Sequence, residues 1–196
     1  MNAKEEQKER SHETILESAS RLLREKGIAG ARVAEVMKGA GLTVGGFYAH
    51  FDSKEALIEA ALRRTAAGMR RRLFTKLEDK PPADRAEVVL KRYLSVAHRD
   101  AATEGCPFPA VVGEIATTAP EHGEILSQQV EALVGELEAH LPPAGPLSRR
   151  HLAIALVALM TGGLSLARAL RSTELSDEVL RACRALGAFA ARATAA

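Results

Sequence analysis

The segment Val33–Phe51, VAEVMKGAGLTVGGFYAHF, decides the fold of the chain. Its first half predicts a short amphipathic helix, because apolar side chains recur at the spacing of one helical face. These side chains are Val33, Val36 and Met37. Gly41 then favours a turn, since glycine readily adopts the positive φ that ends a helix. Thr43 is suited to cap a second helix over residues 44–50.

Two short helices joined by a glycine turn are typical of the helix-turn-helix, whose second helix reads the DNA major groove. In that second helix, Phe47 and Phe51 are expected to face the core. Thr43 and Val44 would approach base edges, the Thr hydroxyl by a hydrogen bond and the Val methyl groups against a thymine methyl. The pair Gly45–Gly46 has no side chains, so it lets the helix lie close to the groove.

The order of these residues resembles the DNA-binding signature of the TetR family of bacterial repressors. The resemblance rests on the glycine turn, on Phe47-Tyr48 and His50-Phe51, and on Ser53-Lys54-Glu55 at the start of a long helix. It covers residues 11–62. The rest of the chain resembles the family only in the number and order of its helices.

The resemblance implies which side chains hold the DNA backbone. Tyr48, His50 and Lys54 are expected to contact phosphates, Lys54 from the first turn of a helix whose amides also attract anions. Arg32 precedes the first helix of the motif, where the family often has a hydroxyl residue, and is expected to reach a phosphate by its charge. The alternative for Tyr48 and His50 is a packing role within the N-terminal domain.

The composition favours an all-α protein. The chain has 196 residues, of which 46% are hydrophobic and 4% aromatic, and patterns typical of strands are nearly absent. The formal net charge is +2, but residues 1–80 hold 16 Lys and Arg against 12 Asp and Glu, and residues 81–196 hold 11 against 13. The basic surplus coincides with the helix-turn-helix, although ordinary solvated helix faces explain so small an asymmetry about equally well.

Several other classes of protein are disfavoured. Only Cys106 and Cys183 are present, which suggests neither a disulfide scaffold nor a zinc site. The first ten residues lack the apolar core of a signal peptide. The apolar run Leu152–Ala167 is shorter than the roughly 20 residues that cross a bilayer, so we expect a buried helix and a cytoplasmic protein. No catalytic or phosphate-binding motif is present, so we expect no enzymatic activity, cofactor or metal.

Helical periodicity and breaking residues predict about nine helices. The first runs from Ser11 to Lys26 after a frayed N-terminus and ends at Gly27. The fourth is capped by Ser53 and continues to about residue 77. The others span about 85–101, a short segment ending near 118, 120–141, 148–170 and 176–193, the last capped by Ser176. Residues 1–53 are thus expected to form a DNA-binding domain, 54–78 a linking helix, and 79–196 an effector-binding and dimerisation domain.

The last two predicted helices, about 148–170 and 176–193, are suited to form a dimer. They are rich in small residues that let backbones approach closely. The last helix is rich in alanine, with Leu180, Leu186 and Phe189 as the larger side chains for helix packing, and these three side chains are also expected to point inward from it. The resemblance favours a homodimer in which these helices build a four-helix bundle. The alternative is a pair of interior helices in a monomer.

The middle helices are expected to enclose an effector pocket, as the resemblance implies. The candidate wall is mostly hydrophobic, so the effector is expected to be small and apolar, with Tyr93 or His98 as a polar anchor. The candidates are Phe74, Tyr93, His98, Cys106, Phe108, Val111, Ile115, Met160 and Leu164. The alternative for each is an ordinary core position.

Cys106 has two interpretations. It lies between Gly105 and Pro107 near a predicted helix start, where the helix dipole favours the reactive thiolate. Some members of the family that sense electrophiles or oxidants carry a cysteine in a similar Gly-Cys setting. A thiol-based sensor is therefore one interpretation, and an inert buried cysteine is the other.

Together, these patterns predict a ligand-responsive repressor that acts as a homodimer on a palindromic double-stranded DNA operator. One alternative is a constitutive DNA-binding dimer without an effector. A second, from another class, is a helical protein that binds or converts a small molecule.

Overall fold

The structure is a computed structural model that describes residues 2–101, 103–142 and 147–193. Across these residues it has nine α-helices, two short 3-10 helices and no strand, which confirms the all-α prediction. The α-helices are α1 Ala3–Gly30, α2 Val33–Gly39, α3 Lys54–Phe74, α4 Pro82–Tyr93, α5 Val96–Asp100, α6 Phe108–Thr117, α7 Gly123–Glu138, α8 Arg149–Ala169 and α9 Glu174–Ala193. The 3-10 helices span Val44–Ala49 and Pro120–His122.

The described residues form two compact units. The first unit contains residues 2–67 and 103–126, and the second contains 68–101 and 127–193. Helix α6 thus groups with the N-terminal helices, where it packs against α1. The sequence predicts one C-terminal domain for all residues after 78. In the structure, α6 lies in that range but groups with the first unit.

Helix α1 differs from its prediction at both ends. It begins at Ala3, because the Asn2 side chain accepts a hydrogen bond from the Lys4 amide while Glu5 accepts one from the Asn2 amide. The expected fraying of the first ten residues, and the expected cap at Ser11, are therefore wrong for this stretch. Gly27 breaks the helical geometry with φ 68° and ψ −166°, but the chain returns to helix as far as Gly30.

Helix α3 starts as predicted. The Ser53 hydroxyl oxygen accepts a hydrogen bond from the Ala56 amide at 3.1 Å. The helix ends at Phe74, earlier than expected, and the following turn contains Lys76 at φ 53°. Its residues up to 67 belong to the first unit and the remainder to the second.

The helix expected over 85–101 is two helices. α4 starts at Pro82, since a proline at the first helical position needs no hydrogen-bond acceptor, and so Asp84 is not its cap. Leu94 then leaves the helical region with ψ 48°. Ser95 caps α5 by accepting a hydrogen bond from the His98 amide at 3.0 Å. The serine was the sequence signal for this break.

Helices α8 and α9 pack against each other in the second unit. α8 begins as predicted at Ser148, whose hydroxyl oxygen accepts from the His151 amide at 3.1 Å. By length and composition alone α8 is apolar enough to cross a membrane, with a mean hydropathy of 1.8. Core helices of soluble proteins meet the same criterion, and α8 buries Leu156, Met160 and Leu164 within the unit.

The prediction for the last helix was wrong in two respects. α9 begins at Glu174, and Ser176 is not its cap but a buried residue whose hydroxyl donates to the Ala167 carbonyl at 2.7 Å. Leu186 and Phe189 point outward, with exposed fractions of 58% and 71%. The reason is that the buried stripe of α9 follows Ser176, Leu180, Gly187 and Ala191, one helical face away.

Candidate nucleic-acid interface

The turn of the predicted motif forms as expected. Gly41 has φ 71°, and the Leu42 amide donates to the Met37 carbonyl at 2.9 Å to close the end of α2. Val36 and Met37 are fully buried, whereas Val33 is half-buried. The amphipathic first helix of the motif is therefore present at Val33–Gly39.

The second helix of the motif is a 3-10 helix over Val44–Ala49, not an α-helix. Its six residues include two glycines, which have low helix propensity, and 3-10 geometry is typical of such short pieces. Thr43 occupies the capping position with extended φ −80° and ψ 146°, but its side chain makes no capping hydrogen bond. Thr43 thus occupies the predicted capping position, but the prediction of a capping hydrogen bond from its side chain was wrong.

Two phenylalanines fix this short helix to the core of the first unit. Phe47 and Phe51 are buried, and their ring centroids lie 6.0 Å apart. The His12 ring of α1 stacks on Phe51 at 4.6 Å, and the Tyr48 and Phe47 rings form a T-shaped pair at 5.1 Å. These contacts hold the helix by its inner side and leave Tyr48 pointing outward.

The outer side carries the predicted base-contacting residues. Val44 is 52% exposed and Tyr48 is 77% exposed, and Thr43 and Gly45 are exposed as well. Their exposure leaves the methyl groups of Val44 and the hydroxyl of Thr43 available to a ligand.

No contact within the protein requires a glycine at the first position of the pair, Gly45. A Cβ atom built on Gly45 would meet nothing within 4 Å, and one on Gly46 would lie 3.9 Å from the Met37 methyl. Neither glycine has a positive φ. A Cβ atom at position 45 would therefore face open space rather than another part of the protein.

His50 lies at the edge of this surface. It is half-buried, its Nδ1 is enclosed without a hydrogen-bond partner, and its ring lies 6.1 Å from that of His12. Burial lowers the pKa of His50 below its usual value, and the nearby His12 and Lys8 lower it further. These effects favour the neutral imidazole in the free protein.

Arg32 and Lys54 flank the motif. Arg32 is the exposed N-cap residue of α2, and Lys54 is the half-buried first residue of α3. The pKa of the Glu55 carboxyl is lowered by hydrogen bonds from its own backbone amide and from Ser53. Because the protein's own side chains already use these amides, an anion at this helix start would meet the Lys54 ammonium rather than bare amides.

The seven predicted DNA-contacting residues therefore come from consecutive elements of one unit: Arg32, Thr43, Val44, Gly45, Tyr48, His50 and Lys54. Reasoning from the sequence did not single out His12, which supports both Phe51 and His50. The only sequence signal that the His12 side chain faces the core is its helical spacing from the apolar residues of α1.

The nine effector candidates are divided between the units. Phe74, Tyr93, His98, Met160 and Leu164 belong to the second unit, and Cys106, Phe108, Val111 and Ile115 to the first. All are buried except Phe74 and His98, which are half-buried. In the second unit the Tyr93 and His98 rings meet edge-on at 4.8 Å, and His98 Nδ1 lies 2.6 Å from the Tyr93 carbonyl oxygen. Their role as an effector site stays a prediction.

The two cysteines occupy different surroundings. Cys106 is fully buried and precedes α6, whose N-cap is Pro107. Cys183 is half-buried, and burial raises the pKa of its thiol. Reactive thiols are usually accessible ones, so the burial of Cys106 is the arrangement typical of a packing residue.

Comparison with known proteins places the motif in a family context. The sequence profile described as "Bacterial regulatory proteins, tetR family" matches residues 15–61. An uncharacterized HTH-type transcriptional regulator of Mycobacterium tuberculosis is 29% identical over 133 residues, which are 67% of this chain and 62% of that protein. The chain therefore spans less than two thirds of this relative. The Bacillus subtilis regulator YerO is 33% identical over 92 residues, 45% of this chain and 30% of YerO.

Solved structures agree over almost the whole chain. A TetR transcriptional regulator from Chloroflexus aurantiacus superposes with a TM-score of 0.77 at 26% identity, covering 94% of this chain and 95% of that one. The reduced form of NemR from Escherichia coli superposes with a TM-score of 0.73 at 23% identity, covering 88% and 94%. The second likeness concerns the fold alone. Together with the profile match, these findings confirm the resemblance that the motif predicted.

Proposed function

We infer the function of this chain from its family: it belongs to the TetR family of bacterial transcriptional regulators. Its relatives are regulators rather than enzymes, which confirms the expectation that the chain is not an enzyme. We propose that it is a cytoplasmic repressor that binds a palindromic DNA operator as a homodimer and leaves it when a small apolar effector binds.

The observation that carries the proposal is the outward face of the 3-10 helix. Thr43 and Val44 present a hydroxyl and methyl groups, which are suited to a base edge and to a thymine methyl. Gly45 allows close approach, because nothing in the protein occupies the space of its missing side chain. The buried Phe47 and Phe51 hold this face on the core of the unit.

Phosphate contacts would supply most of the affinity. Tyr48 offers an exposed hydroxyl, and Arg32 and Lys54, which precede and follow the 3-10 helix in the sequence, offer positive charge. His50 would add charge on binding, since a phosphate favours its protonated form. With so few side chains available for base edges, DNA shape would contribute to the choice of operator.

A second copy of the chain would supply the second recognition helix. The outward faces of α8 and α9 expose Ile154, Leu166, Leu175, Leu186 and Phe189. Exposed Ala and Gly residues separate them on α8, and a Cβ on Gly162 would meet nothing within 4 Å of this chain. An apolar face of this kind is suited to an isologous contact with itself. We propose that these two helices form the dimer interface.

The effector would bind in the second unit. Tyr93, His98, Met160 and Leu164 come from α4, α5 and α8, which contact each other there. Their mostly apolar character supports a small hydrophobic compound with one hydrogen-bonding group. Such a compound releases DNA only to the extent that it binds the DNA-free arrangement more tightly, about tenfold for each 1.4 kcal/mol.

The test begins with DNA. Fluorescence anisotropy with the region upstream of the protein's own gene should give a dissociation constant at least about a thousandfold below that for random DNA at 0.15 M salt, as specific regulators do. Equal affinity for both DNAs would refute the proposal, because charge alone explains nonspecific binding. Footprinting then locates the DNA site, and a screen for compounds that abolish the footprint tests for an effector. A footprint that no compound disturbs would favour the constitutive alternative.

A further inference from the structure

The C-terminal turn of α1 is interrupted at Gly27. With φ 68° and ψ −166°, this residue departs from the helical region and breaks the regular ladder of backbone hydrogen bonds. The next two amides, those of Ile28 and Ala29, point to a side chain from elsewhere in the chain. Both donate to the Oε2 atom of Glu114, at 2.7 Å and 3.0 Å.

Glu114 therefore acts as the cap of the segment that follows the break. It lies on α6, which packs against α1 within the first unit. Hydrogen bonds from amides to an ionised carboxylate are stronger than those between neutral groups, and a negative charge is favoured where helical amides are exposed. The carboxylate thus fixes the new direction that the chain takes after Gly27.

The fit between Gly27 and Glu114 excludes a side chain at position 27. A Cβ atom there would overlap with Glu114 Oε1 and lie 3.0 Å from the Ala110 carbonyl oxygen. The positive φ of Gly27 would in addition strain any other residue. Nearby, Arg24 Nε donates to the Thr103 carbonyl, so α1 is held to the α6 region at a second point.

The segment that Glu114 fixes is also the one that positions Arg32. Ala31 is fully buried, and its amide donates to the Ile28 carbonyl at 3.2 Å. Arg32 follows at once as the exposed N-cap residue of α2. A change in the direction of the chain at Ile28 would therefore shift the Arg32 side chain and the start of α2.

We propose that Glu114 is a positioning residue for DNA binding, which acts from α6 on the Ile28–Arg32 segment. This role rests on the proposed function, because it is measured as a change in affinity for DNA. Glu114 itself is not expected to touch DNA. The carboxylate holds the backbone from which Arg32 reaches a phosphate.

Three substitutions at Glu114 separate charge from reach. Glu114→Ala removes the acceptor, Glu114→Asp keeps the charge but shortens the side chain, and Glu114→Gln keeps an acceptor of the same length. We expect Glu114→Ala to weaken operator binding about tenfold, because the loss of both hydrogen bonds to the carboxylate releases the segment that carries Arg32. Glu114→Gln should retain affinity within about threefold, and Glu114→Asp should resemble Glu114→Ala. The matched control is Thr117→Ala on the same helix, whose hydroxyl bonds only within α6.

Two readouts distinguish positioning from a general loss of stability. Amide hydrogen exchange, measured by NMR on the full chain, should accelerate at Ile28 and Ala29 in Glu114→Ala while the centre of α1 stays protected. Operator affinity, corrected for the folded fraction, should respond less to Glu114→Ala when Arg32 is already alanine, because the two changes remove one shared contact.

Unchanged exchange at both amides, or full additivity with Arg32→Ala, would overturn the proposal. If Glu114→Ala does not fold, Glu114→Gln and Glu114→Asp give the same comparison. If the wild-type protein shows no sequence preference at all, the proposed function fails and this role fails with it. The exchange data would then still report whether Glu114 holds the break at Gly27, so the two failures remain distinguishable.

Discussion

Two surfaces of this protein expose large apolar side chains, and they differ in what surrounds them. On the 3-10 helix, Tyr48 and Val44 are exposed near two glycines, and Arg32 and Lys54 precede and follow this helix in the sequence. On α9, Leu186 and Phe189 stand among alanines, and the neighbouring α8 adds more aliphatic side chains. A charged frame is suited to a phosphate backbone, whereas an aliphatic one is suited to a second protein surface. The contrast teaches that exposure alone does not identify a partner.

The largest effect is expected from charge on the α9 surface. The double substitution Leu186→Glu and Phe189→Glu should convert a dimer to a monomer and weaken operator binding by about a hundredfold or more, because one recognition helix cannot span two half-sites. Analytical ultracentrifugation measures the first effect and anisotropy the second. Ser127→Glu, at an exposed position of α7, is the control. A double mutant that stays dimeric would show that this face does not bind a second copy.

The core beneath the α8–α9 surface should respond to acid through His98. Burial lowers the pKa of His98 to about 4, despite a hydrogen bond to the Tyr93 carbonyl that acts in the opposite direction. The unfolded chain takes up this proton near pH 6.5. The contribution of His98 to the free energy of unfolding should therefore be complete above that pH, and the free energy of unfolding should fall by about 2 kcal/mol between pH 7 and pH 5. Urea titrations at the two pH values measure it.

The variant His98→Asn isolates this effect, because its amide can donate to the same carbonyl but does not titrate. His98→Asn should lose most of the pH dependence, whereas His151→Asn at an exposed position of α8 should keep it. An unchanged acid response in His98→Asn would assign the effect to other groups. The result also shows whether the second unit, which carries the exposed face of α9, unfolds at low pH.

On the 3-10 helix the sharpest probe is a single methyl group. Gly45→Ala should weaken operator binding about tenfold, because the added Cβ has room in the free protein and none against a DNA groove. Stability should stay equal or rise by about 0.5–1 kcal/mol, as it does when helical glycines become alanine. Gly135→Ala on α7, which also meets nothing within 4 Å, should stabilise equally and leave DNA binding unchanged. Equal operator affinity for both variants would mean that position 45 does not approach DNA.

The sequence predicted this contrast only in part. Apolar periodicity located α2, α8 and the buried Phe47 and Phe51, since those side chains repeat at the spacing of a helix. It misplaced Leu186 and Phe189, because α9 is apolar over more than one face and periodicity then does not select the buried one. Local rules located the Gly41 turn and the Ser53 and Ser148 caps.

Contacts between distant residues were beyond those rules. Gly27 was predicted to end α1, yet the helix continues past it with Glu114, 87 residues later in the chain, supplying acceptors for the amides. The 3-10 geometry of the second motif helix was not predicted either, although two glycines in six residues were expected to lower its helix propensity. In both cases a glycine changed the backbone, and only the structure shows what compensates for it.

The smallest expected effect concerns the edge of the DNA-facing surface. The pKa of His50 is lowered in the free protein, chiefly by burial and then by His12 and Lys8. A phosphate near the ring would raise that pKa, so binding would take up a proton, and affinity should increase as the pH falls through the region below 6.5. We expect about a threefold gain between pH 7.5 and pH 6 at constant salt, which His50→Gln should abolish and His151→Asn should not. A pH profile that is identical in His50→Gln would place His50 among the packing residues, with Phe51, rather than among the phosphate contacts.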